Sequence, residues 1–160
     1  MARAGRKGLA ALLAALLLLC LTACSGKNHA QSLSKLLRLD VSGGTVEAFE
    51  DSHGGFLGDG AAYWVITFPD DSVRKTIEES SAWQPLPMTA AVNHLACHLL
   101  DGQPPCLPEV EQGWYFFYDR HDQSREAWDA AAAMGRHSYN FTAAVYNADT
   151  DTLYCLVLDT

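Results

Sequence analysis

The residue pattern predicts an α+β fold, one mostly antiparallel sheet of five to six strands with two or three short helices packed on one face. Three observations predict it. Apolar residues recur with period two in six separate segments, as strands with a buried face require. The links Ser42-Gly43-Gly44 and Asn147 to Thr152 are short and rich in Gly, Asn and Asp. Such links join antiparallel neighbours, whereas parallel ones need a crossover of about a dozen residues. Helical periodicity is confined to stretches between strands and lacks the strict strand-helix alternation of a parallel α/β fold.

The strand segments are Leu36 to Val41, Thr45 to Asp51, Ala61 to Phe68, Gly113 to Asp119, Tyr139 to Tyr146 and Leu153 to Leu158. The clearest alternations are Ala62, Trp64, Ile66, Phe68 and Tyr139, Phe141, Ala143, Val145, each giving one apolar face. Asp71 to Ser80 opens with acidic residues suited to a helix N-terminus and sets Val73 and Ile77 on one side. Thr89 to Leu100 places Val92, Leu95, Ala96 and Leu99 at i, i+3, i+4 and i+7. A third helix, Arg125 to Met134, rests on an alanine run closed by Gly135. No internal repeat or low-complexity block is visible.

The first 23 residues have the layout of an export signal: basic Met1 to Gly8, an apolar run from Leu9 to Leu21, then the small residues Thr22 and Ala23 before Cys24. The 13-residue run would rise only about 20 Å as a helix, short of the ~30 Å hydrocarbon core, so cleavage is expected over permanent insertion. That divides the chain into a cleaved leader at 1–23, a flexible tether at 24–34 and one globular domain at 35–160, with 137 residues left after cleavage. Ser25 to Ser34 is polar and aperiodic, which is the basis for the tether. Removing the leader's Arg3, Arg6 and Lys7 leaves 8 basic against 19 acidic residues, a net charge of −11. So acidic a body repels nucleic acid and anionic lipid head groups, and nucleic-acid binding is excluded as a partner class.

The residues suited to chemistry are few. Asp51-Ser-His-Gly-Gly-Phe-Leu-Gly-Asp-Gly60 holds four glycines, two aspartates and His53 between two strands. It has no Gly-Lys-Ser/Thr ending and precedes a strand, so it is not a phosphate loop. Asp119-Arg-His-Asp122 ends the aromatic strand Trp114 to Tyr118. If that strand end lies beside the glycine loop, Asp51, His53, Asp59, Asp119 and His121 form a candidate binding site, capable of acid/base or metal-ligand chemistry. Otherwise it is a solvated exit with Arg120 paired to a neighbouring carboxylate. His94 and His98 have zinc-like i, i+4 spacing, but Leu95 stands where a zincin carries Glu. On an α-helical wheel His94, Cys97 and His98 all fall on the exposed side. Cys97 and Cys106 are near in sequence, so a bridge between them is geometrically easy, and Cys155 suits a core position. Asn147, Asp149 and Asp151 begin like a calcium loop but lack its glycine and closing Glu. No metal and no cofactor is expected.

Leu21-Thr22-Ala23-Cys24 resembles the lipobox of bacterial lipoproteins, which implies acyl chains on Cys24 and a cell-membrane location on the extracytoplasmic face. Two such chains anchor a protein stably. The lipobox, Asp51 to Phe56 with Gly58-Asp-Gly60, Trp83-Gln-Pro-Leu-Pro87, Tyr118-Asp-Arg-His121 and Tyr146 to Tyr154 together resemble a group of uncharacterised small lipoproteins of Gram-positive bacteria. That resemblance covers most of the mature chain and brings no activity or catalytic residue with it. The functional expectation is a non-catalytic, monomeric binding or interaction module. It would hold the lipid bilayer through acylated Cys24 and a protein, peptide or cell-wall ligand through its body. The alternative is a small metal-dependent or acid/base hydrolase using His53 and His121 with nearby aspartates. A solute-binding transporter component is a third reading, disfavoured because 137 residues are too few for the usual two lobes around a cleft.

Overall fold

The computed structural model describes residues 30–54, 58–99, 105–121 and 130–160. They form an α+β fold around one six-stranded, fully antiparallel sheet. Helix α1 occupies residues 30–37. Strands β1 (Thr45–Asp51) and β2 (Gly60–Thr67) follow as a pair, then helix α2 (Ser72–Glu79) and the two-residue strand β3 (Gln84–Pro85). Helix α3 (Ala90–Asn93) continues into a π-helical turn over His94–His98. Strand β4 (Gly113–Asp119), a 3₁₀ turn at Ala131–Ala133, β5 (Asn140–Asn147) and β6 (Thr152–Asp159) complete the order. The sheet runs β1-β2-β6-β5-β4-β3, so the last strand to be made lies between β2 and β5.

That central position requires β5 and β6 to be apolar on both faces, and they are. On one face Leu153, Cys155 and Val157 join Trp64, Ile66, Phe116 and Tyr146 under α1 and α2, which supply Leu33, Leu37, Val73 and Ile77. On the other face Leu156 and Leu158 join Phe117, Phe141, Ala143 and Val145 under Val92 of α3 and Leu95 and Ala96 of the π turn. The helices therefore cover both faces of the sheet, not the single face expected. The physical reason is that a one-sided layer would leave Phe117, Phe141 and Leu156 in water, and burying each such side chain stabilises the fold by roughly 1.5–3 kcal/mol.

Three further expectations are corrected. Leu36 to Val41 is not a strand. Its apolar alternation marks buried positions, Leu37, Leu39 and Val41, but its backbone bonds locally. Leu39 N–H donates to the Ser34 carbonyl and Val41 N–H to Ser34 Oγ, both at 3.1 Å, with Arg38 at φ 53°. Second, the folded body reaches back into the expected tether: residues 30–34 are helical and Leu33 is 1% exposed. Third, Cys97 is buried, although His94 and His98 are exposed as expected. The wide π turn keeps consecutive residues nearer one face than an α-helix does, so Leu95, Ala96 and Cys97 are all buried. The Arg125 to Met134 helix falls mostly outside the described residues; its visible end is the 3₁₀ turn, followed by Gly135 at φ +78°.

The turns follow from local chemistry. In the β5–β6 hairpin Asn147 Oδ1 accepts from Asp149 N–H at 2.9 Å, and the Tyr146 hydroxyl donates to Asp151 Oδ1 at 2.6 Å, holding Asp151 at φ 46°. Burial first, and that carboxylate second, push the Tyr146 hydroxyl well above the ordinary tyrosine range. Where β4 begins, Gly113 has φ +146° and a Cβ there would lie 1.8 Å from the Tyr146 carbonyl, so only glycine fits.

Leu33 provides the test of where the fold begins. Leu33→Ala is expected to lower the unfolding free energy by about 2–4 kcal/mol in urea denaturation. A change within ~0.5 kcal/mol, as at a surface position, would return the segment to the tether.

Candidate functional site

The antiparallel register brings five chain segments to one end of the sheet. Gly60 and Asn140 both pair with Asp159, and Asp119 pairs with Phe141. The exit of β1, the entry of β2, the end of β6, the entry of β5 and the exit of β4 therefore lie side by side. The glycine loop and the Asp119 to His121 strand exit are thus at the same sheet end.

From β1, Asp51 Oδ1 accepts from the backbone N–H of His53 at 2.9 Å and lies 2.7 Å from its Nδ1. The other ring nitrogen, Nε2, lies 3.1 Å from Asp159 Oδ2. Asp159 Oδ1 in turn accepts from an Arg120 terminal nitrogen at 2.9 Å. The same nitrogen donates to the carbonyls of Phe141 at 3.1 Å and Leu158 at 3.0 Å. The chain of contacts Asp51–His53–Asp159–Arg120 joins the glycine loop to the β4 exit through the C-terminal strand. Glycine at position 60 permits this approach: its φ is +157°, and a Cβ would meet the His53 backbone at 2.5 Å. Ser52 fixes the loop's root, its Oγ accepting from Ala61 N–H at 2.9 Å and donating to the Ala61 carbonyl at 3.1 Å.

The other candidate residues form a neighbouring but different arrangement. Asp119 is 3% exposed, and its Oδ2 receives Arg136 at 2.6 Å while its Oδ1 accepts from the backbone N–H of His121 at 3.0 Å. His121 itself is exposed. Asp59 is exposed and contributes its backbone carbonyl, which accepts from Gly54 N–H at 3.4 Å. The structure thus brings together Asp51 and His53, and ties Asp119 to Arg136. The two sets meet through Asp159 and Arg120. Arg120 occupies the role of a cation paired to a neighbouring carboxylate. Asp159 was not singled out, because its place beside the loop depends on β6 inserting next to β2.

Both nitrogens of His53 face carboxylates and one terminal nitrogen of Arg120 makes three contacts, while its buried Nε has no hydrogen-bond partner among the described residues, so the imidazole, though not the guanidinium, is fully engaged. An imidazole that serves as general base needs one nitrogen open to substrate. The arrangement works as a clasp on the sheet end. Among the described residues no group of three or more His, Cys, Asp and Glu side chains is placed to hold a metal ion.

Cys97 and Cys106 line one small cavity together and are free thiols. Burial first, then the neighbouring Cys106 and Glu109, push the Cys97 thiol up to about 11. Cys155 is fully enclosed in the core, and burial pushes its thiol above the ordinary range as well. No protein-family model, curated protein or solved structure matches this chain.

The clasp is expected to depend on Arg120 more than on His53. Arg120→Met strips donors from two strand-end carbonyls as well as Asp159 and should cost roughly 2–3 kcal/mol. His53→Gln breaks only partly exposed contacts and should cost under ~1 kcal/mol. Equilibrium unfolding followed by tryptophan fluorescence measures both; the reverse order would show that the clasp is not organised around Arg120.

Proposed function

We propose that the protein is an extracytoplasmic lipoprotein, anchored to the membrane through acylated Cys24, whose folded body is a non-catalytic binding module. The anchor reading is supported by the lipobox-like Leu21 to Cys24 junction behind a basic and apolar leader. Among the described residues no helix is long and apolar enough to cross a membrane. The reading of the body is carried by one observation: the imidazole best placed for catalysis, His53, has both ring nitrogens committed to Asp51 and Asp159. An imidazole held between two carboxylates stabilises a loop and leaves neither ring nitrogen open to a substrate. Nothing in the geometry favours the hydrolase alternative, in which His121 would have to act with His53.

With a net charge of −11 after leader removal, the body would be repelled by anionic head groups, so attachment rests on the acyl chains. Partners carrying positive charge are favoured by the same field.

Cys24→Ser is expected to abolish acylation and leave an unprocessed precursor that still carries the apolar leader and runs at higher mass than the parent protein. Mass spectrometry of the parent protein should find a diacylglyceryl adduct on an N-terminal Cys24. An intact Met1 terminus, or an exported chain with unmodified Cys24, would contradict the proposal.

A further inference from the structure

On the face covered by α3, an open cavity of about 260 Å³ lies between the segment that follows β3, the π-helical turn and the loop leading into β4. Leu86, Met88, Pro108 and Val110 supply its apolar lining. Cys97, 7% exposed, forms the floor. The mouth is different. Asn93, Glu109 and Glu111 are exposed and line the opening, and among the described residues no Lys, Arg or His lines it.

The cavity is held in shape by backbone bonds independent of any ligand. Leu86 N–H donates to the Gly113 carbonyl at 3.0 Å, tying one wall to the entry of β4. Leu107 N–H donates to the Ala96 carbonyl at 3.0 Å, tying the other wall to the helix. Thr89 Oγ1 caps α3 by accepting from Val92 N–H at 3.3 Å. A preformed hollow with apolar walls and a few polar groups at one end is the usual form of a small-ligand site. Its volume suits a compact body of one ring or a short branched chain. The carboxylates select the sign of the head group: Glu109 and Glu111 both line the opening, so a cation at the mouth gains attraction where an anion meets repulsion. A neutral ligand gains the walls alone.

We propose that this cavity binds a small organic cation, a primary ammonium group carried on a compact apolar body, with the body against Leu86, Met88 and Val110 and the ammonium between Glu109 and Glu111. The proposal rests on the binding-module reading and names a ligand class for it.

The test titrates the full mature protein, in detergent, with benzylamine, benzyl alcohol and benzoate, following backbone amide resonances. Benzylamine is expected to shift Met88, Cys97 and Val110 saturably, and to bind more weakly as salt is added. Benzyl alcohol should bind roughly tenfold more weakly, the alcohol lacking the charge that the mouth attracts, and benzoate should not bind. The double variant Glu109→Gln with Glu111→Gln lies on the surface and should retain the parent melting temperature while losing about 5- to 10-fold in benzylamine affinity. Met88→Trp, which fills the cavity, should abolish binding. Equal affinity for the amine and the alcohol, shifts that map elsewhere, or no saturable binding would each overturn the proposal. Such a failure with Cys24 acylated would overturn the cavity alone, whereas an unacylated Cys24 with benzylamine bound would overturn the anchor alone.

Discussion

The insertion of β6 between β2 and β5 is the constraint on which the rest of the structure depends. A C-terminal strand at the centre of a sheet must be apolar on both sides, and Leu153 to Leu158 meets that demand without a charged residue. Two layers of cover follow. α1 and α2 close one face over Leu153, Cys155 and Val157, and α3 with its π turn closes the other over Leu156 and Leu158. The same strand ends in Asp159, which is how an ion-pair clasp comes to sit where the glycine loop leaves β1.

The sheet's edges carry a different chemistry from its centre. All seven residues of β1 are exposed, with Val46 and Phe49 among them, and Phe49 stacks on Trp64 at 5.1 Å between ring centres. A bulge between Val46 and Ala48, together with Glu47, Glu50 and Asp51, interrupts this edge. Bulges and charges of that kind discourage edge-to-edge pairing of like copies, in keeping with the acidic charge of the whole chain. At the opposite edge β3 is only two residues long, and its pairing with Tyr115 and Trp114 serves to anchor the wall of the α3-side cavity.

Much of this fold was legible in the residues because alternation reports burial directly. Ala62, Trp64 and Ile66 face one core, while Phe141, Ala143 and Val145 face the other, as their spacing indicates. The second buried face was also written in the chain, in adjacent apolar pairs such as Phe116-Phe117 and Leu156-Val157, which a half-exposed strand would not carry. Leu37, Leu39 and Val41 show the limit of the same signal: they alternate and are buried, yet Leu37 belongs to α1, Ser34 captures the backbone donors of Leu39 and Val41, and no ladder forms. The site was less legible. Arg120 could be assigned a carboxylate partner from its surroundings, but Asp159 is distant in sequence from both Arg120 and His53. Only the strand order makes them neighbours. The burial of Cys97 depended likewise on a π turn, which local spacing does not announce.

The central claim is that β6, flanked by β5 and β2, is the shared floor of both cores. Amide hydrogen exchange tests it most directly, because core strands exchange only through global opening while edges exchange through local opening. The account predicts that the amides of Leu153 to Leu158 and Phe141 to Tyr146 exchange last and together, with the free energy of global unfolding, and that those of Val46 to Glu50 exchange far sooner. Exchange of β6 as fast as β1, or protection of the β6 amides well below the global unfolding free energy, would contradict it.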